Sequence, residues 1–319
     1  MGVKRLIAVL LSTYNGEKYL KEQLDTLEAQ TLNFTLYIRD DGSKDNTFEI
    51  LKQFTQETKR KVFLLHSRKN LGVIFSFMRL LRFAKRNLEN EIFLFSDQDD
   101  LWMPDKIETA VNKIKLKEEG AGKGKPILYH SDLTLVNGLG KPKGTTFWQE
   151  MDLDPKLGKK LHRMICQPTI TGCTVAINRK LAESVHTVPK KAKMHDWWLG
   201  LYACAFGEII SDPIPKIHYR IHDGNVIGAT GLSFQKVFKH LKKFTGYIYA
   251  WKRENEERVL QAQAFEETFR QLLTQSQIEM LSAFINSPKK SFFVRKMIQF
   301  RYGFWQHSFY RKVSSFLFF

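Results

Sequence analysis

One short string, Asp97-Gln98-Asp99-Asp100, has the residue types and spacing to hold a hard cation. Carboxylate oxygens suit Mg2+ or Mn2+, and a divalent ion on Asp97 and Asp99 could neutralise a departing nucleoside diphosphate. Acidic residues also make good turns and caps, so the string gains weight only from its position; Asp100 reads as a helix-capping neighbour. Asp40-Asp41 is a second acidic pair. One of the two could cap a helix, and the other could accept a hydrogen bond from a pyrimidine imide or a ribose hydroxyl. Tyr14 and Asn15 could add contacts around the base. In His195-Asp196-Trp197-Trp198, Asp196 could take the proton of an attacking hydroxyl lying within about 3 Å. The tryptophans could frame a sugar face; core tryptophans and a capping aspartate are the plainer alternative. Arg220 could meet diphosphate oxygens bidentately, and His222 could join the metal, although a lone histidine is more often structural.

These residues need a frame, and the patterning supplies one. Residues 5–11, 35–39, 62–66 and 91–95 are short apolar runs, each followed by polar turn formers and a helical pattern. Four such alternations predict an α/β layer with a mostly parallel sheet. Three of the four strands end in polar clusters: Ser12–Asn15, Asp40–Asp41 and Asp97–Asp100. Ligands gather at the carboxyl ends of parallel strands, so one rim would carry all three. Helices are predicted at 73–86 and 104–118, the latter with Pro104 in its first turn. Further strands are predicted at 127–129, 174–177 and 208–210. Beyond Ser233 the patterns are helical, over 233–251, 254–274 and 276–286, with a basic-aromatic tail.

Composition narrows the function classes. The 319 residues carry a net charge of +17, which favours anionic partners such as a phosphorylated substrate, anionic lipid or nucleic acid. The excess lies in the C-terminal third: after Glu279 there are seven lysines and arginines, nine phenylalanines and no acid. Such a tail could lie in a bilayer interface, or its phenylalanines could pack on the core or at a homodimer seam. No nucleic-acid-binding pattern is present, and acidic strand ends would repel a phosphate backbone, so no nucleic acid is expected. The G-x-G-x-x-G and GK[ST] signatures are absent, which argues against NAD or ATP held in those ways. A nucleotidyltransferase would want a basic loop near the first strand, and a catalytically idle scaffold is an alternative that only an activity measurement excludes. Cys166, Cys173 and Cys204 read as free core thiols in a reducing compartment. No signal-peptide core or apolar span is seen, so a cytoplasmic protein, peripheral on the inner face of the plasma membrane, is expected.

The strings LSTYNGEKYLKEQLDTLEAQT (11–31), RDDGSKDNT (39–47), NLG (70–72) and FSDQDDLWMPDKI (95–107) resemble a known family. So do TGCTVAINRKL (171–181), HDWW (195–198) and YRIHDGNVIG (219–228). The chain is similar to family 2 glycosyltransferases, in the bacterial rhamnosyltransferase-like branch that builds surface polysaccharides such as capsule or O-antigen. That resemblance implies a nucleotide-diphospho-sugar transferase (GT-A) fold, Rossmann-like, with a helical C-terminal extension. The catalytic domain would span 1–231, with a nucleotide-binding half at 1–118 and an acceptor-side half at 119–231. The extension would span 232–319. It implies base and ribose contacts from Thr13 to Asn15 and Asp41, metal on Asp99 and Asp97 with His222 from a mobile loop, and Asp196 as catalytic base. An inverting transfer would follow, from a dTDP- or UDP-linked donor to a growing, lipid-linked glycan. Rhamnose is favoured over hexose or N-acetylhexosamine. His195 stands where many relatives have glutamate, and Asp223-Gly224 precedes Asn225, so hydrogen bonding in that loop would differ.

Overall fold

A computed structural model describes residues 6–122, 124–222 and 244–318. The strands are β1 (Leu6–Thr13), β2 (Thr35–Asp40), β3 (Lys61–His66), β4 (Asn90–Ser96), β5 (Leu101–Trp102) and β6 (Ile127–Ser131). They continue with β7 (Thr134–Val136), β8 (Pro142–Thr146), β9 (Ala176–Asn178), β10 (Glu208–Asp212) and β11 (Ile217–Arg220). The helices are α1 (Leu20–Glu28), α2 (Thr47–Glu57), α3 (Val73–Ala84), α4 (Lys106–Ala121), α5 (Phe147–Glu150) and α6 (Leu161–Met164). After them come α7 (Arg179–Ser184), α8 (His195–Phe206), α9 (Phe244–Phe269), α10 (Gln275–Asn286), α11 (Phe292–Tyr302) and α12 (Phe309–Phe318).

Seven strands form one sheet in the order β10-β6-β9-β4-β1-β2-β3. All neighbours are parallel except β9, which runs antiparallel to both β4 and β6. Apolar continuity explains the middle of this sheet: Ala8 to Leu11 and Ile92 to Phe95 are fully buried, as strands covered on both faces must be. At the edge, β3 is only half-buried, and Tyr37 of β2 stacks on its Phe63 at 5.1 Å. The register pairs Thr13 with Asp40 and Leu11 with Ser96, so β1, β2 and β4 end on one rim. Asn178 ties β9 into place. Its side-chain Oδ1 accepts from the Ile127 and Leu181 backbone N–H groups, and its Nδ2 donates to the Glu118 carboxylate and the Lys125 carbonyl.

A smaller sheet has the order β5-β11-β7-β8. Asp97 to Asp100 is therefore the crossover from the end of β4 in one sheet to the start of β5 in the other.

The chain forms two compact units, and they do not follow a cut at residue 231. The first comprises residues 1–147, 170–188 and 194–220; the second comprises 148–169, 189–193 and 221–319. Stretches expected in the acceptor-side half thus pack with the C-terminal helices. In the second unit, α9 carries Arg253–Glu257 and Glu254–Arg258 pairs one turn apart, which support an otherwise polar helix. Thr274 and Gln277 form a capping box at the start of α10. Lys193 pairs with Glu257 at 2.9 Å, and the Arg163 guanidinium donates to the Gln306 carbonyl at 3.1 Å. Of the helix expected over 233–251, residues 233–243 lie outside the described residues, and 244–251 run without a break into the helix expected from 254, forming the single α9. No described helix is long and apolar enough to cross a membrane.

Candidate active site

The loop after β1 is stitched to the loop after β2 by side chain to backbone bonds. The Asn15 N–H donates to the Ser43 hydroxyl, the Asn15 side-chain Oδ1 accepts from Lys44 N–H, and Gly16 N–H donates to the Thr47 hydroxyl. Asn15 itself sits at φ 49, a left-handed conformation that asparagine tolerates. Thr13 is buried and donates to Asp40 at 3.2 Å. Of the residues Thr13 to Asn15, Thr13 is buried, whereas Tyr14, at 42%, and Asn15 are exposed.

The same loop is joined to the acidic crossover through Gln98. Its amide carbonyl accepts from Tyr14 N–H at 2.8 Å, and its amide nitrogen donates to the Tyr14 carbonyl at 3.1 Å. Gly16 makes this approach affordable, since a Cβ there would lie 2.3 Å from Gln98 Oε1.

Asp41 has a different role from the one expected. Its buried carboxylate accepts from Leu71 N–H at 2.9 and 3.0 Å, from Gly72 N–H at 2.8 Å and from the Arg39 guanidinium. A carboxylate has about four lone-pair sites. Three donors within the protein occupy it, the Leu71 N–H shared between both oxygens, so Asp41 holds the turn before α3. Asp40 likewise accepts from Ser43 and Thr13.

At the centre, ligand atoms of Asp97, Asp100 and Cys173 lie within 4.8 Å of one another. Asp100 is buried and does not cap α4, whose N-cap position is Asp105. Burial, with the neighbouring Asp99, pushes both carboxyls up, Asp97 to about 7 and Asp100 well above its usual range. Asp196 adds to the effect on Asp97. The Lys106 ammonium lies 3.2 Å from the centre of the Trp102 ring. Burial lowers it to about 7, against the pull of Cys173, Asp100 and Asp97. At neutral pH this lysine compensates the acids only partly. Buried carboxylates in excess over cations make a site that a hard divalent ion would relieve. The donor chemistry fits Mg2+ or Mn2+, and the Cys173 thiol, pushed up by burial, stays protonated and outside the oxygen set.

Cys173 and Lys106 were not singled out from sequence. Cys173 arrives on the short turn Gly172–Thr174 just ahead of β9, where the Val175 carbonyl accepts from Phe95 N–H. Both residues lie in strings carrying the family resemblance, TGCT and PDKI, which was the one available signal.

Asp196 stands in the first turn of α8, and its carboxylate accepts from Trp197 N–H at 2.6 Å. Burial nevertheless raises it to about 6, opposed by the Trp197 and Gly172 amides. His195 beside it is buried against Phe77 and Phe95, at 4.5 and 5.3 Å between ring centres, and burial holds it neutral, near 3. Trp197 and Trp198 are core side chains, 6% and 0% exposed, so neither offers a face to a sugar.

Arg220 is not on a closing loop. It ends β11, 1% exposed, and donates to the Asp99 carbonyl, the Gly138 carbonyl and Glu22 at 3.1, 2.9 and 2.8 Å. Its guanidinium also lies over the Tyr19 ring. It braces the acidic crossover from behind and is spent as a diphosphate clamp. His222 is half-buried and groups with the second unit, and the loop that would carry it onward, from Asp223, lies outside the described residues.

Comparison with known proteins bears on the family and the fold. The sequence model of the family described as Glycosyl transferase family 2 matches residues 8–182. A dTDP-rhamnosyl transferase, RfbG, of Shigella flexneri is 28% identical over 72% of this chain and 78% of its own. The poly(ribitol-phosphate) beta-N-acetylglucosaminyltransferase TarS of Staphylococcus aureus is 31% identical, over 43% of this chain and 22% of its own length. The crystal structure of S. aureus TarS 1-349 in complex with UDP superposes with a TM-score of 0.55 at 17% identity, over 94% of this chain and 92% of that one. The mannosyltransferase PcManGT from Pyrobaculum calidifontis, in complex with GDP-Man and Mn2+, gives 0.53 at 15%, over 98% and 84%. These likenesses show the GT-A fold.

Proposed function

The chain belongs to glycosyl transferase family 2, and on that premise we propose that it transfers a sugar, with inversion, from a nucleoside diphosphate to a hydroxyl of a surface glycan. The observation that carries the reading is a pair of linked carboxyls. Asp97, at the carboxyl end of β4, and Asp196, at the start of α8, each raise their proton affinity by burial, and the charge of Asp196 adds to that of Asp97. A base with its pKa near 6 is ionised at neutral pH and can still accept a proton.

Asp97 and Asp100, with Asp99 beside them, would hold a divalent cation, which supplies neutralisation of the diphosphate leaving group when bound. Asp196 takes the proton of the acceptor hydroxyl as the oxygen bonds to the anomeric carbon. On the opposite side of that carbon, the bond to the diphosphate oxygen breaks and its electron pair leaves with the nucleotide. Gln98 fixes the crossover against the Tyr14 loop, and Tyr14 offers its exposed ring to the nucleotide base.

Rhamnose from a dTDP donor is supported by the likeness to the Shigella enzyme's named activity. A lipid-linked acceptor and a membrane-surface location are supported by α11 and α12. Phe293, Met297 and Phe300 are 79%, 71% and 64% exposed on a segment whose charges are all basic.

The test is transfer from dTDP-rhamnose, UDP-N-acetylglucosamine and UDP-glucose, with and without Mn2+. We expect turnover with the first donor and loss of turnover on chelation. Asp196→Asn should lower transfer about a thousandfold, within the range of general-base contributions, while donor affinity stays within a factor of a few. Near-wild-type turnover in that variant would remove Asp196 from the role.

A further inference from the structure

The second unit contains a cavity of about 440 Å³ that the transfer reaction does not use. Its lining includes Lys160, His162, Arg163, Trp305 and Lys312. Every titratable side chain on the wall is a base. Among the described residues none of these bases pairs with a carboxylate. Arg163 is buried, and although one of its terminal nitrogens donates to the Gln306 carbonyl, its Nε–H has no acceptor among the described residues. A buried guanidinium N–H left without a partner is costly, so this arginine's hydrogen-bonding capacity is not fully used within the protein.

We infer that this cavity is a binding site for a phosphate-bearing anion, with Lys160, His162, Arg163 and Lys312 as donors and Trp305 as an apolar wall. Guanidinium and ammonium groups converging on one space bind phosphate oxygens by charge-assisted hydrogen bonds. The volume lies in the range of ligand pockets, roughly 300–1,000 Å³, which admits a diphosphate or a phosphate ester. Trp305 meets Phe300 edge-on at 5.2 Å, so an ester's apolar portion would meet aromatic surface.

The protein's own charges leave room for the anion. Burial lowers His162, and Arg163 and Lys160 lower it further. Asp154 acts favourably on Arg163, but its carboxylate already accepts from Lys156 N–H at 2.9 Å. Burial pushes the Cys166 thiol up to about 12, which leaves it neutral. An anion entering the cavity would therefore raise the proton affinity of His162.

The site is built wholly from second-unit residues and does not rest on the transferase reading. The full chain, in metal-free buffer with chelator, would be titrated with inorganic pyrophosphate while the His162 ring resonances are followed. Saturable shifts and a raised His162 pKa are expected. Lys160→Ala with Lys312→Ala, two exposed residues whose loss spares the core, should weaken binding by about tenfold or more. Lys289→Ala with Lys290→Ala, outside the cavity, should leave it unchanged. A second arm uses phosphatidylcholine vesicles with and without phosphatidic acid. A response to pyrophosphate alone identifies a soluble phosphate ester, and a response to phosphatidic acid identifies a lipid headgroup; either upholds the site. Equal weakening in both lysine pairs, or no His162 response in either arm, overturns it. Donor binding with Mn2+, measured separately, reports on the transferase site alone.

Discussion

Asp97, Asp100 and Asp196 pay for their position with desolvation, which raises all three. The consequence for stability has a definite sign. The folded-state value for Asp97, about 7, exceeds its ordinary 3.8, so the folded chain binds the proton more tightly than the unfolded chain does. Stability contributed by that proton is present below the unfolded value and is lost as pH rises through about 7. In thermal melts without metal, the wild-type chain should therefore lose stability between about pH 4 and 7 relative to Asp97→Asn, which cannot ionise. Mn2+ should raise the wild-type melting temperature more at pH 8 than at pH 5, because at low pH protons compete for the same oxygens. Parallel pH profiles for the two proteins would show that Asp97 is ordinary. The position of these carboxylates was legible from their place after an apolar strand. Their partners were not: Cys173 is 76 positions away from Asp97 by residue number and reaches it only because β9 reverses direction beside β4.

The elements decide which polar side chains are free to act. The acidic crossover is held by β4 and β5 at its ends, by Gln98 against the first loop and by Arg220 from β11. From sequence, an arginine before a histidine and a glycine looks like a phosphate clamp. Pairing β11 between β5 and β7 instead turns Arg220 inward. Arg220→Ala would leave the Asp99 and Gly138 carbonyls without their donor and should cost about 3 kcal/mol of stability in urea unfolding. A substrate clamp would show a raised donor KM with unchanged stability, and that outcome would restore the sequence reading. Asp41 followed the same logic, because a turn with two inward N–H groups absorbed its carboxylate.

At the scale of the whole molecule, the C-terminal helices present an apolar surface that their own unit does not cover. Phe293, Met297 and Phe300 recur one turn apart on α11, and Phe309, Val313 and Phe316 do the same on α12. The segment after Glu279 has no acid, so a second copy docking through the same face would meet like charge. An anionic bilayer meets it with opposite charge. Sedimentation with phosphatidylglycerol vesicles at low salt should carry the wild-type chain down. Phe293→Ser with Phe300→Ser should release most of it, and raised salt should weaken binding of both proteins. No binding at low salt would end the membrane reading.

Local pattern determined the alternation of β1 to β4 with α1 to α4, the parallel core and the rim on which Asp97, Asp40 and Thr13 gather, but not the smaller sheet. These follow from hydrophobic period and turn chemistry, which act over a few residues. The free state of the three cysteines was legible for the same kind of reason. Tertiary structure alone decided what remained after packing. It buried Trp197 and Trp198 in the core, committed Asp41 and Arg220 to backbone groups, and set Cys173 and Lys106 beside the acids. It also grouped 148–169 with the C-terminal helices, gathering four bases around one cavity. The physical reason is hydrogen-bond accounting. Residue type states what a side chain can donate or accept, and only the assembled neighbours show whether that capacity is already used.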